Sequence, residues 1–303
     1  MTTPPYRSIA LGFFDGIHRG HGMLMQRAKE RANELHLSPA VFTFDRHPSD
    51  LYADTPVQLI NSAQDRADLI HRLYGIEDVI FSHFDEAMMR MPWEDFIRKM
   101  LYQEYGARHL VCGEDFHFGY RGEGDPIRLQ ALCEDLGIHC DVIPLMEIDG
   151  IKVGSTYIRT LLAAGDMERA AEFLGHPHCL SHTVEHGRRI GSSIGIPTVN
   201  LTVPPHVLTP AHGVYATQVQ VGTSRYPGVT NIGVRPTVDD SQRVTVETFL
   251  LDFQGDLYGK TLRVDFYRHL RSERKFASLE ELKEQIHKDE ASVRSYFAQH
   301  PVL

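Results

Sequence analysis

The start of the chain constrains the fold most. A short apolar run from Ile9 to Leu11 stops at Gly12, and a glycine-punctuated turn follows it. After the turn, apolar residues recur every three or four positions, which is the spacing of one helix face. These residues are Leu24, Ala28, Ala32 and Leu35. The order of strand, turn and helix is typical of an open α/β sheet, in which ligands bind beyond the carboxyl ends of the strands.

The turn itself carries the pattern HxGH, with His18 and His21 on either side of a glycine. Two imidazoles at this spacing can point at one polyphosphate and stabilise the charge that develops during transfer. The amides of a helix N-terminus supply further donors, and glycines let a phosphate approach the backbone. The alternative is a pair of surface histidines on a well-made turn, in a chain that contains 18 histidines. The position at a strand end favours the phosphate site.

The rest of the first half alternates between β-type apolar runs and helical patterns. The β-type runs begin at Pro39, Asp78, His109 and His139. Helices are predicted from Ser62 to Leu73, from Pro92, from Asp125 and from Asp166 to Leu174. This alternation predicts a mostly parallel sheet that helices cover on both faces, which is an α/β, Rossmann-like architecture.

A loop of mixed glycines and aromatic residues, Gly113 to Asp125, follows one of these strands. Phe116 and Phe118 would suit a flat heteroaromatic ligand, and Asp115 would set the polar edge of that ligand. The alternative is a surface loop whose phenylalanines pack into the core.

Another segment, Gly154 to Asp166, begins with small hydroxyl residues and becomes helical. Ser155 and Thr156 are suited to capping the helix, and Arg159 lies one turn in, within reach of an anion at the helix N-terminus. Capping alone explains the two hydroxyl residues, whereas it does not explain the arginine.

The most specific stretch is Gly187 to Leu201, GRRIGSSIGIPTVNL, in which glycine recurs every four residues. This spacing suits a loop that folds around phosphates better than it suits a helix. Thr198 and Asn200 present a hydroxyl and an amide oxygen, which are hard ligands of the kind that Mg²⁺ accepts beside phosphates. The alternative is a glycine-rich hairpin closed by a proline turn. The loop residues of interest are Gly187, Gly191, Gly195 and Pro197.

Four β-type runs separated by short turns fill most of the second half. They predict an antiparallel sheet closed into a small barrel, with a final helix from Ser278 to Phe297. In the third run, Glu247 shares a face with Phe249 by alternation. A carboxylate on an apolar face is costly unless it has a partner or a function. Alternatively, this face lies on the outside of the barrel, and the last helix covers it.

Two further motifs resemble binding sites but do not have the required spacing. The segment GDLYGKT, Gly255 to Thr261, has one residue too few between its glycines for a P-loop, and it joins two strands, so it predicts a hairpin. The histidine-rich stretch His176 to His186 has no paired ligand spacing. In a strand, His182 and His186 would stand ~13 Å apart, too far to share one metal ion.

Length and charge limit the number of domains and the kinds of partner that this chain can have. The 303 residues predict two domains, which we place at 1–175 and 180–303. The formal net charge of −9 argues against a nucleic-acid partner and an anionic membrane, since both attract basic patches. No apolar run has the length of a membrane span, and no cysteines form a CxxC pair. We expect a cytoplasmic protein with small-molecule substrates. The sequence does not decide between a monomer and a homo-oligomer.

The motifs together resemble the bacterial bifunctional riboflavin kinase/FAD synthetase family. GFFDGIHRGH is similar to the family's nucleotidyltransferase signature, and GEDFHFG to its GxDFxFG element. GSTYIR is similar to the ISSTxxR motif, and GIPTVN to the kinase motif GxPTxN. The resemblance covers nearly the whole chain, with the motifs in the family's order. It implies a Rossmann-like FMN adenylyltransferase domain followed by a β-barrel riboflavin kinase domain.

The resemblance also implies substrates and roles. The second domain would make FMN from riboflavin and ATP with Mg²⁺, and the first would make FAD and pyrophosphate from FMN and a second ATP. Glu247 would be the base of the kinase, and His18 and His21 would stabilise the α-phosphate during adenylyl transfer. Thr198 and Asn200 would hold the metal. The remaining ligand-binding positions would be Gly12, Phe14, Asp15, Gly16, Asp115, Phe116, Phe118, Ser155, Thr156, Arg159, Gly187, Gly191, Gly195, Pro197, Asn231 and Arg271.

Several positions depart from the family's pattern. Phe13 is a mild departure, Gly154 replaces a serine, and Tyr157 and Ser192 stand where the family often has arginine. Loss of a cation beside a triphosphate weakens the stabilisation of its charge. Two rival hypotheses therefore stand beside the bifunctional enzyme: a kinase with a degenerate adenylyltransferase half, and a flavin or nucleotide sensor without catalysis.

Overall fold

The computed structural model describes residues 6–185, 198–236 and 242–300. The chain divides into two compact units, Met1–Ser155 and Thr156–Leu303. Each unit has its own sheet, and the two sheets are of opposite kinds.

The first unit contains a five-stranded sheet in which every neighbouring pair is parallel. Its strands are β1 (Arg7–Leu11), β2 (Ser38–Phe44), β3 (Asp78–Ser82), β4 (Ala107–Gly113) and β5 (His139–Ile143). The strand order is β3-β2-β1-β4-β5, so the direction of chain progress reverses between β1 and β4. A ligand crevice is expected at such a reversal, beyond the carboxyl ends of the strands. The parallel α/β architecture predicted from the sequence is confirmed.

The predicted helices of this unit begin where the sequence signals place them, and one further short helix, Glu86–Met89, was not predicted. They are α1 (Arg19–Leu35), α2 (Ala63–Tyr74), α3 (Glu86–Met89), α4 (Trp93–Asp95), which continues into a π-helical segment (Phe96–Glu104), and α5 (Pro126–Leu136). Ser62 caps α2 by accepting from the amide of Asp65, and Asp125 caps α5 in the same way. Short turns of 3₁₀-helix span Pro48–Leu51 and Tyr120–Gly122, and a small ladder joins β6 (Glu147–Ile148) to β7 (Ile151–Lys152).

A buried polar chain ties three strands of the first sheet together. Ser8 Oγ lies 2.7 Å from His109 Nδ1, and His109 Nε2 lies 3.3 Å from Asp141 Oδ2. Asp141 also accepts from Arg31 of α1 at 3.1 Å. Ser8 and His109 are fully buried. This serine, histidine and aspartate therefore hold elements together and do not form a nucleophilic site, because substrate has no access to the serine.

The second unit contains a closed six-stranded antiparallel barrel, as the sequence predicts. Its strands are β8 (His178–Glu185), β9 (Thr198–Thr202), β10 (Gly213–Val221), β11 (Ser224–Pro236), β12 (Gln242–Leu250) and β13 (Thr261–Arg271). The order around the barrel is β10-β11-β12-β9-β8-β13. The remaining helices are α6 (Ser155–Ala164), α7 (Met167–Leu174) and α8 (Leu279–Gln299).

The last helix, α8, packs on the outside of the barrel. Val293 is fully buried against Val214 and Val229 of the barrel, whereas Leu279 in the first turn is exposed. Asp289 of α8 accepts from the guanidinium of Arg271 at 2.7 Å and 3.0 Å. This ion pair ties the end of β13 to the helix.

The segment Gly255 to Thr261 joins β12 to β13, but the prediction of a hairpin is wrong. β12 pairs with β11 and β9, whereas β13 pairs with β10 and β8. The connection crosses the end of the barrel, where Gly259 donates to the carbonyl of Val184 and Leu251 to that of Pro227. A local turn signal does not reveal which strands are neighbours. Within the described ranges, no helix is both long and apolar enough to cross a membrane.

Candidate active sites

The turn between β1 and α1 is tightly constrained. Phe14 and Ile17 have φ values of +58° and +44°, which residues with side chains rarely adopt. A side chain at Gly12 would come within 2.9 Å of the Phe14 ring, so only glycine lets that ring pack where it does. The Asp15 carboxylate is buried and accepts from the amides of Ile60 and Asn61 at 2.9 Å and 3.3 Å. Asp15 therefore fixes the shape of the turn.

The two histidines of this turn lie together. Their rings stack at 3.4 Å between centroids, and His18 caps α1 by accepting from the amide of His21. Burial, followed by the charges of His18 and Arg66, holds the pKa of His21 well below its usual range. His21 is therefore neutral at physiological pH, and one of its nitrogens is available as a donor.

A cavity of about 700 Å³ opens beside the same turn. This size is within the range of small-molecule sites. Its walls come from the ends of β1 and β2, from the segment around α3, and from the loop after β4. The aromatic side chains that line it are Phe13, Phe42, Phe44, Tyr52, Phe84, Phe96, Phe116, Phe118 and Tyr120.

Sequence analysis identified only part of this lining. Phe116 and Phe118 line the cavity with their rings stacked at 5.3 Å. Asp115 is exposed and accepts from Lys152 at 2.8 Å, and Phe14 is buried against His21. Phe13, by contrast, lines the cavity. The alternation of side chains does not extend into a turn with left-handed residues, so the pattern could not show which phenylalanine faces the ligand.

The segment at the start of α6 contacts the turn through Ser155. Ser155 is the first residue of α6, and its hydroxyl donates to the carbonyl of Asp15 at 2.9 Å. Thr156 and Arg159 follow on the same helix, in the second unit. Gly16, the last glycine of the motif in the turn, has a φ of +85°.

In the barrel, three predicted residues occupy one row across neighbouring strands. Asn231 of β11 is directly opposite Glu247 of β12, and Glu247 is directly opposite Asn200 of β9. Side chains directly opposite each other lie on the same face, with Cβ atoms roughly 4.5–5.5 Å apart. Thr198 is two residues from Asn200, so it lies on that face too. Four polar groups from three separate stretches of sequence are thus brought together.

This row lies on the outer face of the barrel. Phe249, two residues from Glu247, packs in the cluster that contains Val293 of α8. The opposite face carries a buried chain of hydroxyls, in which Thr217 lies 2.7 Å from Thr230 and Thr230 lies 2.8 Å from Thr248. The alternative of a barrel exterior beside the last helix is therefore the arrangement found.

The loop after β13 reaches the same row. Asn231 Nδ2 donates to Glu273 Oε1 at 3.2 Å. Arg271, which the resemblance placed at a ligand, is instead paired with Asp289 in this structure. Gly187, Gly191, Gly195 and Pro197 lie outside the described residues.

Comparison with known proteins matches both units. A riboflavin kinase family model matches residues 174–297, and an FAD synthetase family model matches residues 2–157. The bifunctional riboflavin kinase/FMN adenylyltransferase of Pseudomonas fluorescens is 36% identical over 289 residues, which cover 95% of this chain and 92% of that protein. This chain belongs to that family. The family's enzyme from Bacillus subtilis (strain 168) is 35% identical over 296 residues, covering 96% of this chain and 92% of that enzyme.

The fold of this family member also matches a solved structure. A protein described as a macrolide-efflux protein from Streptococcus pneumoniae has a TM-score of 0.84 and 27% sequence identity to it. The match covers 96% of this chain and 95% of the other. The two proteins therefore share their fold over almost their whole lengths.

Proposed function

We propose that the two reactions of the family take place at the two sites described above, one in each half of the chain. The chain is a bifunctional riboflavin kinase and FMN adenylyltransferase, with riboflavin, FMN and ATP as its small-molecule substrates. We assign adenylyl transfer to residues 1–175 and phosphorylation of riboflavin to residues 180–303. The observation that carries this division is that the HxGH turn and its cavity lie within the first unit and the FAD synthetase match, whereas the row of Asn231, Glu247 and Asn200 lies within the second unit and the riboflavin kinase match.

For adenylyl transfer, the apolar cavity would hold the flavin ring of FMN, stacked near Phe116 and Phe118. The cavity reaches Gly12 and Phe13, so the phosphate of FMN would lie beside the turn. A phosphate oxygen of FMN attacks the α-phosphorus of ATP, the bond to the β-phosphate oxygen breaks, and pyrophosphate leaves. His18 and His21 would donate to the α-phosphate as its charge increases. Ser155, Thr156 and Arg159 would bind the leaving pyrophosphate.

For phosphorylation, Glu247 would accept the proton of the riboflavin 5′-hydroxyl as that oxygen attacks the γ-phosphorus of ATP. ADP then leaves. Asn231 would orient the flavin side of the site, and the loop containing Gly187, Gly191, Gly195 and Pro197 would enclose the phosphates. Arg271 would reach the ligand only by releasing Asp289.

The donors on β9 fit Mg²⁺. Thr198 and Asn200 offer a hydroxyl and an amide oxygen on one face, and the carboxylate of Glu247 is opposite Asn200. Neutral and anionic oxygens of this kind suit a hard cation. When bound, Mg²⁺ neutralises charge on the transferred phosphoryl group.

We propose a cytoplasmic enzyme. Its net charge of −9 argues against nucleic acid or an anionic membrane surface as a partner. The rival hypotheses, a kinase with a degenerate adenylyltransferase half and a sensor without catalysis, predict different products.

Product analysis tests the proposal. The chain is incubated with riboflavin, ATP and Mg²⁺, and the flavins are separated by chromatography. We expect FMN first and FAD later. FMN alone would support the degenerate half, and unchanged riboflavin would support the sensor. Omission of Mg²⁺ with a chelator present should stop FMN formation.

A further inference from the structure

Arg66 in the first turn of α2 is the largest fully buried side chain among the residues that the structure describes. Burial of a guanidinium is costly unless hydrogen bonds and opposite charges compensate it. Burial therefore lowers the pKa of Arg66 to about 10, while the charges of Asp15 and Asp45 oppose that decrease. Arg66 stays protonated at neutral pH, so a full positive charge lies inside the first unit.

The guanidinium joins the ends of two neighbouring strands. Its Nη1 donates to the carbonyl of Phe13 at 2.7 Å and to Thr43 Oγ1 at 3.0 Å. Its Nη2 donates to the carbonyl of Phe44 at 2.9 Å. The Phe13 ring lies over the guanidinium, with 4.5 Å between its centroid and the guanidinium carbon. Phe13 and Phe44 both line the flavin-sized cavity.

The start of α2 also holds the other side of the same turn. The amides of Ile60 and Asn61, just before the helix, donate to Asp15. The turn is thus bound at Phe13 by Arg66 and at Asp15 by the backbone. Between these two points lies Phe14, whose φ of +58° is unfavourable for a residue with a side chain. External contacts must hold such a conformation, and the charged guanidinium of Arg66 supplies one of them.

We propose that Arg66 is a positioning residue for adenylyl transfer: it holds the turn that presents His18 and His21, and its charge acts on His21. The proposal rests on the assignment of adenylyl transfer to this turn. Arg66 touches no substrate in this account, because it is fully buried behind Phe13.

The electrostatic part concerns His21. The groups that act on it are His18, from the cap of its own helix, and Arg66, from α2. The charges of Asp15, in the turn, and of Asp45, after β2, raise the pKa of Arg66 and so favour its charged form. Both His18 and Arg66 lower the pKa of His21, in addition to its burial. Loss of the Arg66 charge should therefore raise the pKa of His21.

Three variants of the full chain separate these effects. Arg66→Met removes the charge and the hydrogen bonds, and Arg66→Lys keeps the charge but cannot span Phe13 and Phe44 as a planar fork does. The matched control is Arg7→Met, because Arg7 is a largely buried arginine at the opposite end of β1, bonded to Asp78 at 2.6 Å and to the carbonyl of Tyr105. Riboflavin kinase activity of the same chains controls for folding of the second unit.

Each variant is assayed for FAD formation from FMN and ATP across pH, with kcat and KM determined separately. For Arg66→Met we expect kcat to fall about 10²-fold, since small displacements of catalytic groups have effects of that size. The limb of the pH–rate profile that reports His21 should move to higher pH. Arg66→Lys should lower kcat and leave that limb in place. Arg7→Met should keep both kcat and the limb.

A direct titration of the His21 ring by NMR gives a second measurement of the same charge effect. If Arg66→Met lowers FAD formation no more than Arg7→Met does, or leaves the pKa of His21 unchanged, the proposal is overturned. If Arg66→Met does not fold, Arg66→Lys decides, and an unchanged kcat overturns the proposal. If the unsubstituted chain makes no FAD, the assignment of function is itself overturned, and this inference with it.

Discussion

The two units place their proposed reactive groups in different ways. In the first unit, the groups lie in turns beyond the ends of parallel strands. Buried polar side chains, Asp15 within the turn and Arg66 from α2, join such a turn to residues far away in the chain. In the barrel, Asn231, Glu247 and Asn200 lie within the strands, and the hydrogen-bonded register alone brings them into one row. A loop site thus depends on distant residues, whereas a strand site depends on the sheet itself.

This difference predicts independent failure of the two activities. The largest effect is expected for Glu247→Gln, which keeps the shape of the side chain but cannot accept the proton. FMN formation should fall by about 10²–10⁴-fold, the usual contribution of general base catalysis. FAD formation from added FMN should persist. Separate chromatographic assays of the two products measure this.

Glu280→Gln is the control for Glu247→Gln, since Glu280 is exposed on α8. It should change neither activity. If Glu247→Gln stopped both reactions in a chain that unfolds like the unsubstituted protein, the division of the reactions between the units would be wrong.

The reciprocal change is His21→Asn in the first unit. FAD formation should fall by about 10²–10³-fold, because one donor to the developing charge is lost. FMN formation should stay unchanged. His36→Asn is the matched control, since His36 ends the same helix in a left-handed conformation that asparagine also accepts. Equal losses in the two variants would contradict the role of the HxGH pair.

The contrast also explains what the sequence could predict. Caps and periodicity located α2, α5 and the barrel strands, because those signals are local. Alternation placed Glu247 and Phe249 on one face correctly, since register preserves it. The cavity lining could not be predicted from local signals, since Phe13 rather than Phe14 lines it. Nor does the sequence around Arg66 indicate its bond to Phe13, which is 53 residues away in the chain.

The dependence of the loop site on distant contacts gives a smaller, measurable effect on stability. Asp15→Asn replaces a carboxylate that accepts from two amides, and it should destabilise the first unit by about 1–3 kcal/mol. Trp93 is the only tryptophan and lies in the first unit, so its fluorescence during denaturation reports that unit. Asp68→Asn, on an exposed part of α2, is the control. An unchanged Trp93 transition in Asp15→Asn would show that the turn does not need its carboxylate.

The stability of the barrel also depends on a buried group, His178, and the expected effect is smaller. Its side chain is almost fully buried, and neither ring nitrogen has a hydrogen-bond partner within the described residues. Burial, aided by His176, lowers the pKa of His178 to about 3. The unfolded chain therefore binds a proton near pH 6.5 that the folded barrel does not bind, so stability is complete above that pH and is lost as the pH falls. The loss should be about 1 kcal/mol over the first pH unit below 6.5, and it should approach about 1.4 kcal/mol per unit at lower pH.

Hydrogen exchange of barrel amides at pH 6.5 and 5.5 measures this loss, and His178→Phe should flatten it. The slope is the informative quantity, since the larger ring also changes packing at both pH values equally. His287→Gln, on an exposed position of α8, should keep the original slope. If His178→Phe kept it too, protonation of other groups would account for the acid sensitivity of the barrel. The strand pairing that brings Asn231, Glu247 and Asn200 into one row would then be equally stable with or without a neutral histidine at position 178.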